Sequence, residues 1–309
     1  MVQENSVKRV KVVAIVGPTA SGKSGTAVKL AKSINGEIIS ADSMQIYKHM
    51  NIGTAKVTLD EMKGIPHYLI DIVEPTENYS VSDWVRMARE KIADIAKRGK
   101  TPIIVGGTGL YVTSLLKGYS FHNTGENKTL RDKYHSIYTK QGIEPLMERL
   151  RELSPEKAET IDPTKVKYVI RTLEVLESEN GSEDKNTGEE YDYLLLGLDV
   201  PREELYSRIN SRVDEMMDAG LIQEFDELVT IHNLKRENQS SGAIGYRELF
   251  QYKNGELSIE EAVNLIKQHS RNYAKRQMTW FRKMDNMLWV SPVDYNKIEQ
   301  LAKTFIGER

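Results

Sequence analysis

The chain opens with a polar leader, residues 1–9, followed by a β-branched apolar run from Val10 to Val16. A short apolar run of this kind, bounded by polar residues and a glycine, predicts a strand buried on both faces. The next block places Ala27, Val28, Leu30, Ala31 and Ile34 at helical spacing, and Gly36 is expected to stop that helix. Apolar runs at Glu37 to Ser40, His67 to Val73 and Pro102 to Val105 predict three more strands. An amphipathic helix is expected over Ser82 to Arg98, closed by Gly99. Strands alternating with helices predict an α/β fold, a parallel sheet with helices on both faces.

After Gly118 the pattern changes. Leu130 to Leu176 reads as helical and highly charged, and it runs into the acidic stretch ESENGSEDKNTGEE, expected to be an exposed loop. Leu194 to Val200 has the apolar character of a returning core strand, with Pro201 as the first residue of the next helix. Helices follow to Met284, and Met287 to Val290 predicts a last strand. The expected organisation is a core over 1–118, a mostly helical insertion over 119–190, and a return to the core over 191–309.

Between the first strand and the first helix stands Gly17-Pro18-Thr19-Ala20-Ser21-Gly22-Lys23-Ser24, a full match to the P-loop pattern in its proper context. Glycines let backbone N–H groups turn around phosphate oxygens, and the helix N-terminus adds partial positive charge. Lys23 is expected to reach the outer phosphate and the Ser24 hydroxyl to ligate Mg²⁺. The default occupant is a nucleoside triphosphate, so an ATP-binding small-molecule kinase or an ATPase is the first expectation. An ATPase normally carries an acid at the end of an apolar strand. The closest match is Asp71, which reads equally as a metal ligand and as a turn cap, and the strand 102–105 ends in Gly106-Gly107-Thr108 without an acid. A hydrolytic motor therefore fits poorly.

Composition removes several classes. Hydrophobic residues make up 39% and charged residues 28%, ordinary for a globular chain, and a net charge of −2 offers no general attraction to nucleic acid. With no cysteine there are no disulfides, thiolate metal sites or cysteine nucleophiles. The histidines show no metal-ligand spacing. No apolar run approaches the roughly 18 residues of a membrane span, so a cytoplasmic location is expected. No coiled-coil or interface stripe argues against a monomer.

GPTASGKS followed by ISADSMQIYKHMNIGTAK resembles the tRNA dimethylallyltransferase family in its bacterial form. The match continues in order through HYLIDIVEP, NYSVSDW, PIIVGGTGLY, IGYRE and KRQMTWFR, from about Val10 to Trp289. The resemblance implies transfer of a dimethylallyl group from dimethylallyl diphosphate to N6 of the adenine 3′ of the anticodon. The P-loop then holds a diphosphate, with Mg²⁺, and needs no water-activating acid. The alternatives are a P-loop small-molecule kinase and, a sibling with the same donor chemistry, a prenyltransferase of free adenine nucleotides.

The resemblance also assigns roles. Asp42, at the end of the second strand, takes the N6 proton; its plainer reading is a turn cap. Thr108 contacts the bridging region of the diphosphate, or else satisfies the Gly-Gly-Thr-Gly turn. Arg208 and Arg212 lie four apart on one helical face and either clamp the diphosphate or are solvated surface arginines. Asp42, Ser43, Met44 and Gln45 are implied to face tRNA, as are Lys167, Tyr168, Val169, Ile170 and Arg171. So are Gly245, Tyr246 and Arg247, within the stretch 241–247. The insertion is expected to grip the anticodon stem-loop. Between Glu261 and Asp285 no carboxylate occurs, and Lys267, Arg271 and Lys275 recur every four residues. Composition alone makes that stripe a solvated basic face. The KRQMTWFR match turns Lys275, Arg276, Gln277, Trp280 and Arg282 into RNA contacts, with Tyr273, Trp280 and Phe281 packing in the core or against bases.

Overall fold

The computed structural model describes residues 9–119, 127–178 and 190–307. The chain forms two compact units, one of Met1–Lys117 with Glu189–Arg309 and one of Gly118–Gly188. The larger unit opens with β1 (Lys11–Val16), α1 (Lys23–Ser33), β2 (Gly36–Ser40), α2 (Leu59–Met62), β3 (His67–Tyr68), α3 (Val81–Lys97), β4 (Thr101–Gly106) and α4 (Gly109–Leu116). The smaller holds α5 (Lys128–Gln141), α6 (Glu144–Leu153), α7 (Pro155–Thr160) and α8 (Val166–Glu177). The larger unit resumes with β5 (Asp192–Leu198), α9 (Arg202–Asp218), α10 (Leu221–Thr230), α11 (Tyr246–Lys253), α12 (Ile259–Phe281), β6 (Leu288–Val290) and α13 (Tyr295–Ile306). A short 3₁₀ turn, Ser240–Gly242, precedes α11.

The strands form one parallel sheet in the order β3-β2-β4-β1-β5-β6. β1 lies between β4 and β5, and Val12 to Val16 are fully buried, as a strand covered on both faces must be. The order in which strands are added reverses about β1: β2 to β4 lie on one side of it and β5 and β6 on the other. In parallel sheets the crevice beyond the carboxyl ends at such a reversal is where ligands bind. The P-loop leaves β1 at that point.

Two elements differ from expectation. Gly36 does not stop α1. The helix ends at Ser33, Asn35 turns the chain in the left-handed region (φ 48°), and Gly36 begins β2. There a Cβ would lie 2.6 Å from Cδ1 of Ile103. The strand expected over 67–73 is two residues long, because Leu69 (φ 61°) and Asp71 (φ 55°) leave the extended region. Glu37, buried in β2, is held by Arg98 and Lys100, each at 2.6 Å, and by the Tyr68 hydroxyl. The Arg98 hydrogen bonds above all hold its carboxyl down at about 2. The acidic stretch near Gly181 lies almost wholly outside the described residues. The smaller unit has its own core, in which Leu146, Leu150, Val169, Ile170 and Leu173 interdigitate.

Candidate active site

Five helix starts among the described residues, those of α2, α3, α5, α12 and α13, are sealed by an N-cap side chain. Ser80 with Asp83, and Ser258 with Glu261, form reciprocal capping boxes at α3 and α12. α1 is built otherwise. Its N-cap is Gly22 in the left-handed region (φ 87°), it has no side-chain cap, and no acid occupies its first turn. Its leading N–H groups are therefore offered to an anion from outside. Ser24 is exposed in that first turn. Ser21, two residues before Lys23, buries a hydroxyl that has no partner among the described residues.

Lys23 opens α1, and Arg212 of α9 acts on it electrostatically. Lys23, half-buried, donates to the Pro18 carbonyl at 2.6 Å. Burial above all pulls its ammonium down to about 8; Asp42 opposes this shift and Arg212 adds to it. Arg212 on α9 makes no hydrogen bond or ion pair among the described residues, and burial lowers its pKa too. Glu215 and Glu61 act on it only from a distance. Arg208, one turn earlier, is ion-paired to Glu204 on its own helix. Of the two expected clamps, the structure brings Arg212 to Lys23 and leaves Arg208 engaged elsewhere.

Asp42 follows β2. Its Oδ1 accepts from the N–H groups of Met44 (2.9 Å) and Gln45 (3.3 Å), so the turn-capping role is real and uses one oxygen. Oδ2 has no bonded partner among the described residues. Thr108 caps the start of α4 without bonding its helix; its Oγ1 instead accepts from Ser43 N–H at 3.0 Å. It thereby ties the end of β4 to the Asp42 turn. Gln45 is spent on that loop, its Nε2 donating to the carbonyls of Thr54 and Ala55. Asp71, just beyond the end of β3, pairs through Oδ1 with buried Lys56 at 2.5 Å.

The Gly106-Gly107-Thr108-Gly109 turn is glycine-rich because other groups press on it. A Cβ on Gly106 would lie 2.1 Å from the Ala41 carbonyl oxygen, one on Gly107 2.1 Å from Gln277 Nε2, and one on Gly109 2.3 Å from the Trp280 ring. Gln277 and Trp280 come from α12, one turn apart.

Several expected RNA contacts are inside the protein. Val169 and Ile170 are core residues of the smaller unit, leaving Lys167 and Tyr168 exposed, with Arg171 paired to Glu174. Tyr246 is fully buried and donates to Glu224 at 2.6 Å, while Gly245 is buried and only Arg247 is exposed. Glu224 also accepts from the N–H groups of Asn51, Ile52 and Gly53. Gln277 is buried, not surface. The basic stripe is broken too: Lys267 pairs with Asp214 at 2.6 Å and Arg271 donates to Asn210 at 2.6 Å, fastening α12 to α9. Lys275, Arg276, Trp280 and Arg282 remain exposed, with Arg276 over the Tyr273 ring. Phe281 packs in the core. No group of three metal-binding side chains occurs among the described residues.

A helix start without a side-chain cap, opened by Lys23 at the reversal of strand order in a parallel sheet, defines a P-loop fold. A free carboxylate oxygen stands beside it. The family model for IPP transferase matches residues 45–284. A tRNA dimethylallyltransferase of Bacillus cytotoxicus is 46% identical over 307 residues, 97% of this chain and 96% of its own. One from a Thermoanaerobacter species is 46% identical over 305 residues, 96% of each chain. The full-length tRNA isopentenylpyrophosphate transferase of Bacillus halodurans superposes with a TM-score of 0.72 at 42% identity, covering 96% of this chain and 95% of its own. A eukaryotic dimethylallyltransferase acting on tRNA gives 0.81 at 30% identity, over 96% and 77%. The chain belongs to the tRNA dimethylallyltransferase family, a family of prenyl-group transferases.

Proposed function

We propose that this enzyme transfers a dimethylallyl group from dimethylallyl diphosphate to N6 of the adenine 3′-adjacent to the anticodon of tRNA. The observation that carries this reading is the open start of α1, where Lys23 and Arg212 act on one another and neither has an ion-pair partner among the described residues. Like charges crowded into a half-buried site are costly unless an anion joins them, and a diphosphate leaving group is such an anion. The N6–C1 bond forms as the C1–O bond breaks, and diphosphate departs with the bonding electron pair. The N6 proton passes to the unoccupied Oδ2 of Asp42, whose other oxygen is fixed by Met44 and Gln45. Thr108 holds the Asp42 turn against β4. Mg²⁺ fits as a phosphate-borne ion: Ser24 offers one exposed hydroxyl, and no acidic cage occurs among the described residues. When bound, it neutralises charge on the leaving group.

Exposed Lys275, Arg276 and Arg282 on and just past α12 supply cations for the anticodon stem-loop, and Lys167 and Tyr168 supply a second contact on the smaller unit. We place the reaction in the cytoplasm, with the protein a monomer; no helix among the described residues is long and apolar enough to cross a membrane. The kinase reading rests on the P-loop pattern alone. β4 ends without an acid, and Asp71 is committed to Lys56.

The test supplies labelled dimethylallyl diphosphate and Mg²⁺, without ATP, to unmodified tRNA and in parallel to adenosine monophosphate. Label in tRNA alone is expected. Label in the nucleotide alone overturns the RNA acceptor, and no transfer to either overturns the chemistry.

A further inference from the structure

Gln277 occupies the buried face of α12, whose other buried positions include Ile266, Ala274 and Phe281. A polar residue there must be matched on both ends of its amide. It is: Oε1 accepts from the Thr19 N–H at 2.9 Å, and Nε2 donates to the Gly107 carbonyl at 2.9 Å. The partners lie in the P-loop and in the β4–α4 turn, more than 150 residues away in sequence. One needs an acceptor and the other a donor, so the amide orientation is set by chemistry, and only an amide of this length serves both. The absence of a side chain at Gly107 makes room for it, since a Cβ would stand 2.1 Å from Nε2. The Tyr273 hydroxyl, one turn earlier, lies near enough to interact with both Gln277 and Thr108.

We infer that Gln277 is a positioning residue of the donor site, a strut that holds the Thr19 segment of the P-loop at fixed distance from the β4 turn. Its helix neighbours Lys275 and Arg276 face solvent while Gln277 points the other way. It therefore acts on the diphosphate through the P-loop backbone and has no contact with RNA. The inference rests on the donor assignment proposed above.

Two variants of opposite defect test it. Gln277→Glu keeps the shape and the bond to Thr19 but sets a carboxylate oxygen against the Gly107 carbonyl. Gln277→Met fills the space and forfeits both bonds. Leaving a buried backbone group unmatched costs enough to weaken binding about ten-fold or more. Binding of inorganic diphosphate with Mg²⁺ is measured by calorimetry, alongside binding of tRNA. Both variants should lose at least about ten-fold in diphosphate affinity and raise the donor KM similarly, with tRNA affinity within about two-fold of the parent. Retained tRNA binding also serves as the check that each variant is folded. Loss of tRNA affinity with diphosphate binding intact overturns the inference and makes Gln277 an RNA contact. Equal loss of both, in variants that melt like the parent, also overturns it. If the parent protein binds no diphosphate, the donor assignment fails, and this inference with it.

Discussion

Two glycine-rich turns leave adjacent strands of this sheet, and they are glycine-rich for different reasons. After β1, Gly22 holds a left-handed conformation with open space around it; a Cβ there would meet only Pro292, at 4.0 Å. Its task is to turn amides outward. After β4, Gly107 has no such backbone demand, and the constraint is the Gln277 amide pressed against it. One turn is open to a ligand and the other is closed by the protein. The same residue type therefore marks a binding surface in one place and a packing surface in the next, and only three-dimensional surroundings tell them apart.

Substitutions can break this contrast. The largest effect is expected at Asp42, the carboxylate that follows β2 on the other side of β4. Asp42→Ala should lower kcat by about 10²–10⁴, the range of general-base catalysis, while donor KM moves little; steady-state kinetics at saturating tRNA check it. A variant with near-normal kcat would remove Asp42 from proton transfer. On the face of α12 turned away from the closed turn, Lys275→Glu with Arg276→Glu should weaken tRNA binding by more than about ten-fold. It should also reduce the salt-dependence slope by about one per lost phosphate contact. Affinity titrations across ionic strength would show otherwise if the slope is unchanged.

Gly107→Ala is expected to cost about 1–3 kcal/mol as overpacking. In that background Gln277→Ser should restore much of the melting temperature without restoring diphosphate affinity. Gly22→Ala, strained only by its backbone, should cost about 1–2 kcal/mol, with no second-site relief from Gln277. The smallest effect is a pH dependence. Lys23 titrates near 8 in the free site, so its charge is present below that pH and lost above it. Donor KM should therefore rise as pH passes upward through about 8, and Lys23→Met should abolish that rise along with most donor affinity.

Local chemistry was legible where it is local. The P-loop, the strand–helix alternation and the position of Asp42 at a strand end follow from neighbouring residues, and all stand where the pattern puts them. Contacts across the chain did not follow. Gln277 and Tyr246 sit in motifs implied to face RNA, yet their partners, Thr19 and Glu224, are distant in sequence and draw them inside. A signal existed for Gln277, since it falls on the apolar stripe with Ala274 and Phe281, where a polar residue asks for a buried partner. Val169 and Ile170 carried the same signal in simpler form, as apolar residues at core spacing. The stripe of Lys267 and Arg271 misled because spacing reports which residues share a face and says nothing of Asp214 and Asn210 opposite. His67 to Val73 looked like a strand because its residue types are strand-like; the left-handed turns at Leu69 and Asp71 are imposed by the loop it pairs with, where Asp71 N–H donates to Gln45 and Ile72 N–H to Ile46.

The Glu224 carboxylate gathers three consecutive amides, Asn51 to Gly53, and the Tyr246 hydroxyl into one buried knot. A free loop of that length would surrender about 1–2 kcal/mol of conformational entropy per residue on being ordered by a substrate. Here the loss is incurred during folding, so under the proposed function the segment running from Asp42 is ordered before substrate arrives. Affinity that would otherwise go into stiffening the loop is left for the reacting groups.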